Sequence, residues 1–180
     1  MSNRMMLAEV LRQECLTPGN QTLPRGWKTS NWLSIDRLLG NPNNRRTLVA
    51  AFNDRLVNMA PGFRGALAGT QQDFALAATL ATAAGLSCLA LGDARETPVG
   101  HLTLGGDTLA IYGAQPHKQS GDVILLDDVA ASGQTLEAMT EALQSMGLTV
   151  IGIMPIVDCS PNREIEDYCR ARNIKYMGLT

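Results

Sequence analysis

No apolar stretch in this 180-residue chain approaches the roughly 18 consecutive residues that suggest a membrane-spanning helix. The amino terminus, "MSNRMMLAEVLRQE", has an amphipathic pattern without the apolar centre of a secretory signal. A soluble, cytoplasmic protein is the expectation. Positive charge is not in excess either. Fifteen Lys and Arg stand against seventeen Asp and Glu, a formal charge of -2, which argues against general attraction to nucleic acid or an anionic membrane but leaves room for a local anion site. Cys15, Cys88, Cys159 and Cys169 show no CxxC spacing, so free thiols are expected rather than disulfide staples or zinc ligands. HExxH, P-loop and GxGxxG patterns are absent, as are internal repeats and low-complexity linkers. What is present is a chain with 45% hydrophobic residues, enough for one sizeable core and one domain spanning residues 1–180.

Along that chain, helix-period and strand-like segments alternate. Met6, Leu7, Val10 and Leu11 predict a short first helix that "TPGN" ends. In "NPNNRRTLVAAFNDRLVNM", Leu48, Phe52, Leu56 and Met59 share one helical face before "APG". "FRGALAGT" predicts a strand and loop, and the Ala-rich "DFALAATLATAAG" a helix with Leu76, Leu80 and Ala84 aligned. "LSCLAL" reads as a buried strand and "HLTLGGDTLAIYG" as a Gly-turned hairpin. After "DVILLDD" and the loop "VAASGQ", Leu136, Met139, Leu143 and Met146 recur at helical spacing up to Gly147, a C-terminal cap. "TVIGIMPIVD" is a further strand, and "SPNREIEDYCRARN" a last helix with Ser160 and Pro161 suited to N-cap and N1. Unbroken apolar strands alternating with helices predict an α/β fold: a mostly parallel central sheet with helices on both faces and ligands at the carboxyl ends of the strands.

The stretch "VILLDDVAASGQTL", residues 123–136, sits at such an end. Asp127 and Asp128 close the strand, and Ala131, Ser132, Gly133, Gln134 and Thr135 form the turn into the next helix. Gly133 permits a left-handed backbone, while Ser132 and Thr135 add hydroxyls beside the amides of a positive helix terminus, a geometry suited to a phosphate monoester. Two carboxylates beside that site do not attract phosphate. They accept hydrogen bonds from vicinal hydroxyls and help hold a hydrated Mg²⁺. A ribose 5-phosphate meets both demands. The plainer alternative is that Asp128 caps a turn and Ser132 or Thr135 caps a helix, but one cap needs only one carboxylate.

These residues resemble the phosphoribosyl-pyrophosphate signature of type I phosphoribosyltransferases, and the order of elements is most similar to that of the orotate phosphoribosyltransferases. The resemblance implies that Asp127 and Asp128 bind the ribose hydroxyls and influence Mg²⁺ through ribose or water, and that residues 131–135 hold the 5-phosphate. "WKTSNWLSIDRLL" resembles the segment that contacts base and phosphate, implying base-side roles for Lys28, Thr29 and Ser30, with Asp36 as a further counterpart, and a small hood over residues 1–40. "GALAGTQQDFALAATLATAAGLSCLAL" resembles the family's strand, pyrophosphate loop, helix and next strand, which places Thr70, Gln71, Gln72 and Asp73 in that loop. "VIGIMPIVDCS" resembles the strand after the signature helix. A homodimer is also implied.

Two departures from the family pattern stand out. The pyrophosphate loop is Gly-rich in the family, whereas here it carries Asp73. In "GDARETPVGHL", Gly92 and Asp93 stand where the orotate enzymes begin their catalytic loop with Arg-Lys, leaving Arg95 and His101 as substitutes. A carboxylate within about 4 Å of another anion, at an effective dielectric near 20, costs on the order of 4 kcal/mol. Losing one oxyanion donor costs roughly 2.7 to 4 kcal/mol. The two penalties are comparable. His101 and His117 lack a sequence-evident carboxylate partner and read as surface or turn residues, as does Lys118. Trp27 and Trp32 either stack on a base or pack into the hood.

Three readings remain open at this stage. One is a phosphoribosyltransferase of the orotate type, using phosphoribosyl pyrophosphate and a planar, pyrimidine-like base, in which Asp127, Asp128 and Arg95 carry the chemistry. Another is a noncatalytic sensor of a nucleoside monophosphate or related phosphoribosyl metabolite. The last is an inactive scaffold. Neither nucleic acid nor membrane is an expected partner.

Overall fold

The computed structural model describes the chain except residues 1, 23–27, 71–72, 94–99, 105–106, 114–120, 132 and 161–162; for 20–22, 28–32, 92–93, 100–104, 107–113 and 134 it describes the backbone alone. Helix α1 (Asn3–Val10) is capped by Ser2, whose hydroxyl accepts from the Met5 N–H, and passes into a π turn over Leu11–Cys15. An antiparallel pair follows, β1 (Leu16–Thr22) and β2 (Lys28–Leu33), with a bulge between Pro18 and Gln21. The helical stretch thus stops at Cys15, just ahead of "TPGN" as the sequence pattern suggests, but "TPGN" itself lies inside β1, where the bulge accommodates Pro18 and Gly19. Helices α2 (Ile35–Gly40) and α3 (Pro42–Met59) come next, α3 opening on an Asn41 cap with Pro42 in its first turn.

The remaining chain builds a seven-stranded sheet. Its elements are β3 (Ala66–Thr70), α4 (Phe74–Ala84), β4 (Ser87–Asp93), β5 (Gly100–Leu104), β6 (Asp107–Gly113), β7 (Asp122–Ala130), α5 (Gln134–Ser145), β8 (Thr149–Asp158), α6 (Glu164–Ala171) and β9 (Lys175–Tyr176). Strand order is β5-β6-β4-β3-β7-β8-β9. Strands β4, β3, β7, β8 and β9 run parallel, and the β5–β6 hairpin adds an antiparallel edge beside β4.

Side-chain alternation divides the core in two. Leu67, Ile124, Leu126, Met154 and Ile156 face one cluster with Leu7, Leu48, Phe52, Leu76 and Leu80 from α1, α3 and α4. Ala66, Ala68, Val123, Leu125 and Ile153 face the other with Leu136, Met139, Leu143 and Ile165 from α5 and α6. Every one of these residues is buried, so the strands read as unbroken apolar runs and helices cover both faces. The fold class expected from the sequence is the one observed.

Smaller expectations fail for local reasons. Met146 lies past the end of α5 and is exposed, because the chain leaves the helix one residue earlier and turns at Gly147 (φ 79). Helix α6 begins at Glu164 behind a left-handed Arg163, so Ser160 is not its N-cap; Pro161 lies outside the described residues. All four cysteines are free, and among the described residues no helix is long and apolar enough to cross a membrane.

Candidate active site

The carboxyl ends of the parallel strands meet at β7. Up to Leu126 its side chains alternate regularly, with Ile124 and Leu126 toward one core and Val123 and Leu125 toward the other. Beyond the aspartates Val129 packs against the cluster of Ile124 and Leu126, and Ala130 joins that of Val123 and Leu125, while the pairing with β8 keeps one register from Ile124 to Ala130. A regular strand sends neighbouring side chains to opposite faces. Asp127 and Asp128, although adjacent, each bring a carboxylate oxygen to one site.

A third carboxylate joins them. Gly69, one residue before the end of β3, has so little room above it that an added Cβ would lie 3.2 Å from the Asp73 Cβ, so glycine there permits the close approach of the turn into α4. Asp73 stands immediately before α4, where its N–H donates to the Thr70 carbonyl and hydroxyl (3.0 and 3.2 Å) and its carboxylate accepts from that hydroxyl (2.6 Å). Each of Asp73, Asp127 and Asp128 brings an oxygen into a cluster in which the ligand atoms lie within 4.8 Å of one another.

Burial raises all three acids, and repulsion between their charges adds to it at Asp73 and Asp127. Asp127, 9% exposed, is pushed up to about 7 by burial and then by the charges of Asp73 and Asp128. Asp73, 5% exposed, is pushed up to about 6 by burial and the Asp128 charge, against the lowering pull of the Thr70 hydroxyl. Asp128 is raised by burial, and the backbone N–H of Val129, 2.6 Å from its Oδ1, partly offsets this. Three clustered carboxylates supply the hard oxygen donors that Mg²⁺ takes, and a divalent cation would relieve the repulsion. The donor set fits the metal.

Next to the acids the chain turns into α5 through Gly133, in left-handed conformation at φ 70. A Cβ there would also meet Ile165 Cγ1 at 3.4 Å. Gly133, at the N-cap, has no side chain to cap the first α5 amides, and no cap from another side chain is found among the described residues, an arrangement suited to receiving an anion. Ala131 is buried and Thr135 exposed; Ser132 and the Gln134 side chain lie outside the description. Beside the turn, the Cys159 N–H donates to the Ala130 carbonyl (2.8 Å), and Asp158 accepts from the Ser160 N–H (2.8 Å) and the Tyr176 hydroxyl (2.7 Å). Sequence patterning had marked Asp158 only as the end of a strand.

Of the other residues singled out from the sequence, Lys28, Thr29 and Ser30 lie in β2 and His101 in β5, described by backbone only. Gln71, Gln72, Arg95, His117 and Lys118 fall outside the described residues. Asp36 is exposed in the first turn of α2. The site that emerges is therefore one of three acids and an anion-receiving turn. Sequence reasoning placed Asp73 only in the pyrophosphate loop; its contact with the acidic pair is tertiary and had no local signal.

No family model matches the chain, and no curated protein matches it. Solved structures do. An adenine phosphoribosyltransferase matches with a TM-score of 0.73 over 97% of this chain and 99% of its own, at 19% identity. An orotate phosphoribosyltransferase from Aeropyrum pernix matches with a TM-score of 0.69 over 97% and 92%, at 24% identity. The adenine phosphoribosyltransferase of Saccharomyces cerevisiae, solved with an imino-altritol bisphosphate and adenine, matches with a TM-score of 0.73 over 98% and 99%, at 17% identity. The chain has the type I phosphoribosyltransferase fold that its sequence resemblance implied.

Proposed function

We propose that the protein is a phosphoribosyltransferase of the orotate type, moving ribose 5-phosphate from phosphoribosyl pyrophosphate to a pyrimidine-like base. The observation that carries the reading is the end of β7, where Asp127 and Asp128 share one site and Gly133, without a side chain of its own to cap them, turns the chain into the first amides of α5. Acceptors for a diol beside donors for a phosphate are what a phosphoribosyl group requires. The resemblance of "WKTSNWLSIDRLL" to the base-side segment of orotate enzymes supports the pyrimidine choice, with Lys28, Thr29 and Ser30 toward the base.

In the reaction, the bond from ribose C1 to pyrophosphate breaks, the leaving group departs with the electron pair, and a base nitrogen that gives up its proton forms the new bond to C1. Asp127 and Asp128 fix the ribose by accepting from its hydroxyls, and the amides of residues 131–135 anchor the 5-phosphate, so C1 is held for attack. Asp73, Asp127 and Asp128 would hold Mg²⁺, which when bound neutralises charge on the departing pyrophosphate. Arg95 supplies further positive charge. The reading includes one domain over residues 1–180 with a hood over 1–40, a cytoplasmic location and a homodimer.

A second reading, a sensor of a nucleoside monophosphate, is favoured by one observation: Asp73 is a buried carboxylate at the turn where pyrophosphate would bind. Calorimetry with a nucleoside monophosphate and with phosphoribosyl pyrophosphate plus Mg²⁺, followed by pyrophosphate release with orotate, uracil and adenine, separates the readings. Turnover with orotate or uracil supports the orotate-type enzyme, and turnover with adenine alone moves the base assignment. Monophosphate binding without turnover supports the sensor. Absence of binding to either ligand overturns both.

A further inference from the structure

Away from the strand ends, α1, α3 and the carboxyl-terminal segment enclose a cavity of about 220 Å³. Two guanidinium groups line it, Arg4 from α1 and Arg55 from α3. Among the described residues neither forms an ion pair. Arg55 is half-buried, with its Nε buried and without a hydrogen-bond partner among those residues. Its one recorded bond is long, from Nη2 to the Tyr176 carbonyl at 3.5 Å.

The cavity's other polar groups are already engaged. The Ser2 hydroxyl accepts from the Met5 N–H at 3.3 Å, and the Asn58 amide donates to the Asp54 carbonyl at 2.8 Å. Asp54, the one acid lining the cavity, accepts from the Asn3 side chain at 2.8 Å instead of pairing with either arginine. Two guanidinium groups against the single Asp54 carboxylate leave the hollow net positive, and with Arg55 partly desolvated an oxyanion would recover free energy through charge-assisted hydrogen bonds. Burial, and after it the Arg4 charge, lower the Arg55 pKa from its usual value, as such an arrangement requires. Ala51 and Leu179 complete an apolar wall, which suits a short carbon skeleton attached to the anion.

We propose that this cavity is a second anion site, in which Arg4 and Arg55 bind the phosphate group of a small organic phosphate. It shares no residue with the acidic cluster or the turn at 131–135, and it stands whether or not the protein is a transferase.

The test is amide NMR of the full chain titrated with inorganic phosphate. Saturable shifts are expected at residues 2–4, 54–58 and 178–180, independent of any shifts at 131–135, which report the other site. Arg4→Gln, on an exposed side chain, and Arg55→Gln should each weaken this site roughly tenfold, the loss of one charge-assisted bond, while Arg55→Lys keeps part of the affinity. Asp128→Asn should leave it unchanged. If Arg55→Gln does not fold, Arg4→Gln alone decides. Shifts that do not saturate, that are confined to 131–135, or that Arg4→Gln leaves unaltered would overturn the proposal.

Discussion

At the end of β7 the chain turns into α5 through a left-handed glycine that leaves amides open to an anion, whereas at the end of its neighbour β3 the turn into α4 carries a buried carboxylate. The two ends are adjacent in one parallel sheet and each feeds a helix. One is arranged to receive negative charge. The other supplies it. A helix amino terminus favours an anion in either case, but at α4 the chain provides its own in Asp73, and at α5 it leaves the place to a ligand. What separates the ends is the residue before the helix, a carboxylate at φ -90 before α4 and a left-handed glycine at φ 70 before α5.

The comparison breaks most readily at β7. Asp128→Asn should weaken a nucleoside monophosphate by roughly tenfold to a hundredfold, the worth of one or two hydrogen bonds to a charged acceptor, measured by calorimetry with Mg²⁺ present. Unchanged affinity would remove Asp128 from the ribose site. Gly133→Val should follow, because a β-branched residue at φ 70 is strained by about 1 to 3 kcal/mol. The expected outcome is a loss of phosphate affinity near tenfold, together with a lower melting temperature.

At β3 the comparison sharpens. Asp73→Gly would make that turn resemble its neighbour, so binding of phosphoribosyl pyrophosphate should improve several-fold even as Mg²⁺ affinity falls. An unchanged affinity for both would place Asp73 outside the site. The smallest effect expected is on stability against pH. Asp73 and Asp127 are raised from 3.8 to about 6 and about 7, so between those values the folded chain binds more protons than the unfolded one and stability falls as pH rises. The melting temperature of the metal-free protein should therefore decline from about pH 4 to about pH 7. Asp127→Asn should flatten the profile, and a flat wild-type profile would contradict the buried acidic cluster.

Much of this arrangement was legible in the chain. Leu48, Phe52 and Leu56, and Leu136, Met139 and Leu143, announced α3 and α5 through spacing alone, and their burial follows the pattern. "VILLDD" announced the buried strand and its acids, although β7 runs two residues past them to Ala130 where the sequence pattern suggests a loop. Less visible were features that depend on partners distant in sequence. Lys175–Tyr176 is too short to carry a strand period and becomes β9 only by pairing with β8. Pro18 and Gly19 read as a helix stop, yet β2 draws them into a bulged strand. The convergence of the Asp127 and Asp128 carboxylates on one site has no signature in composition, and Asp73 reaches them only because β3 and β7 are neighbours. Local periodicity reports which face a residue takes; it does not report who meets across the sheet.

The central claim is that the turn after β7 holds the 5-phosphate of a phosphoribosyl ligand. A crystal structure with ribose 5-phosphate tests it most directly. The account predicts the phosphate on the amides of residues 131–135 with the ribose hydroxyls on Asp127 and Asp128; a phosphate bound elsewhere, with that turn empty, would contradict it.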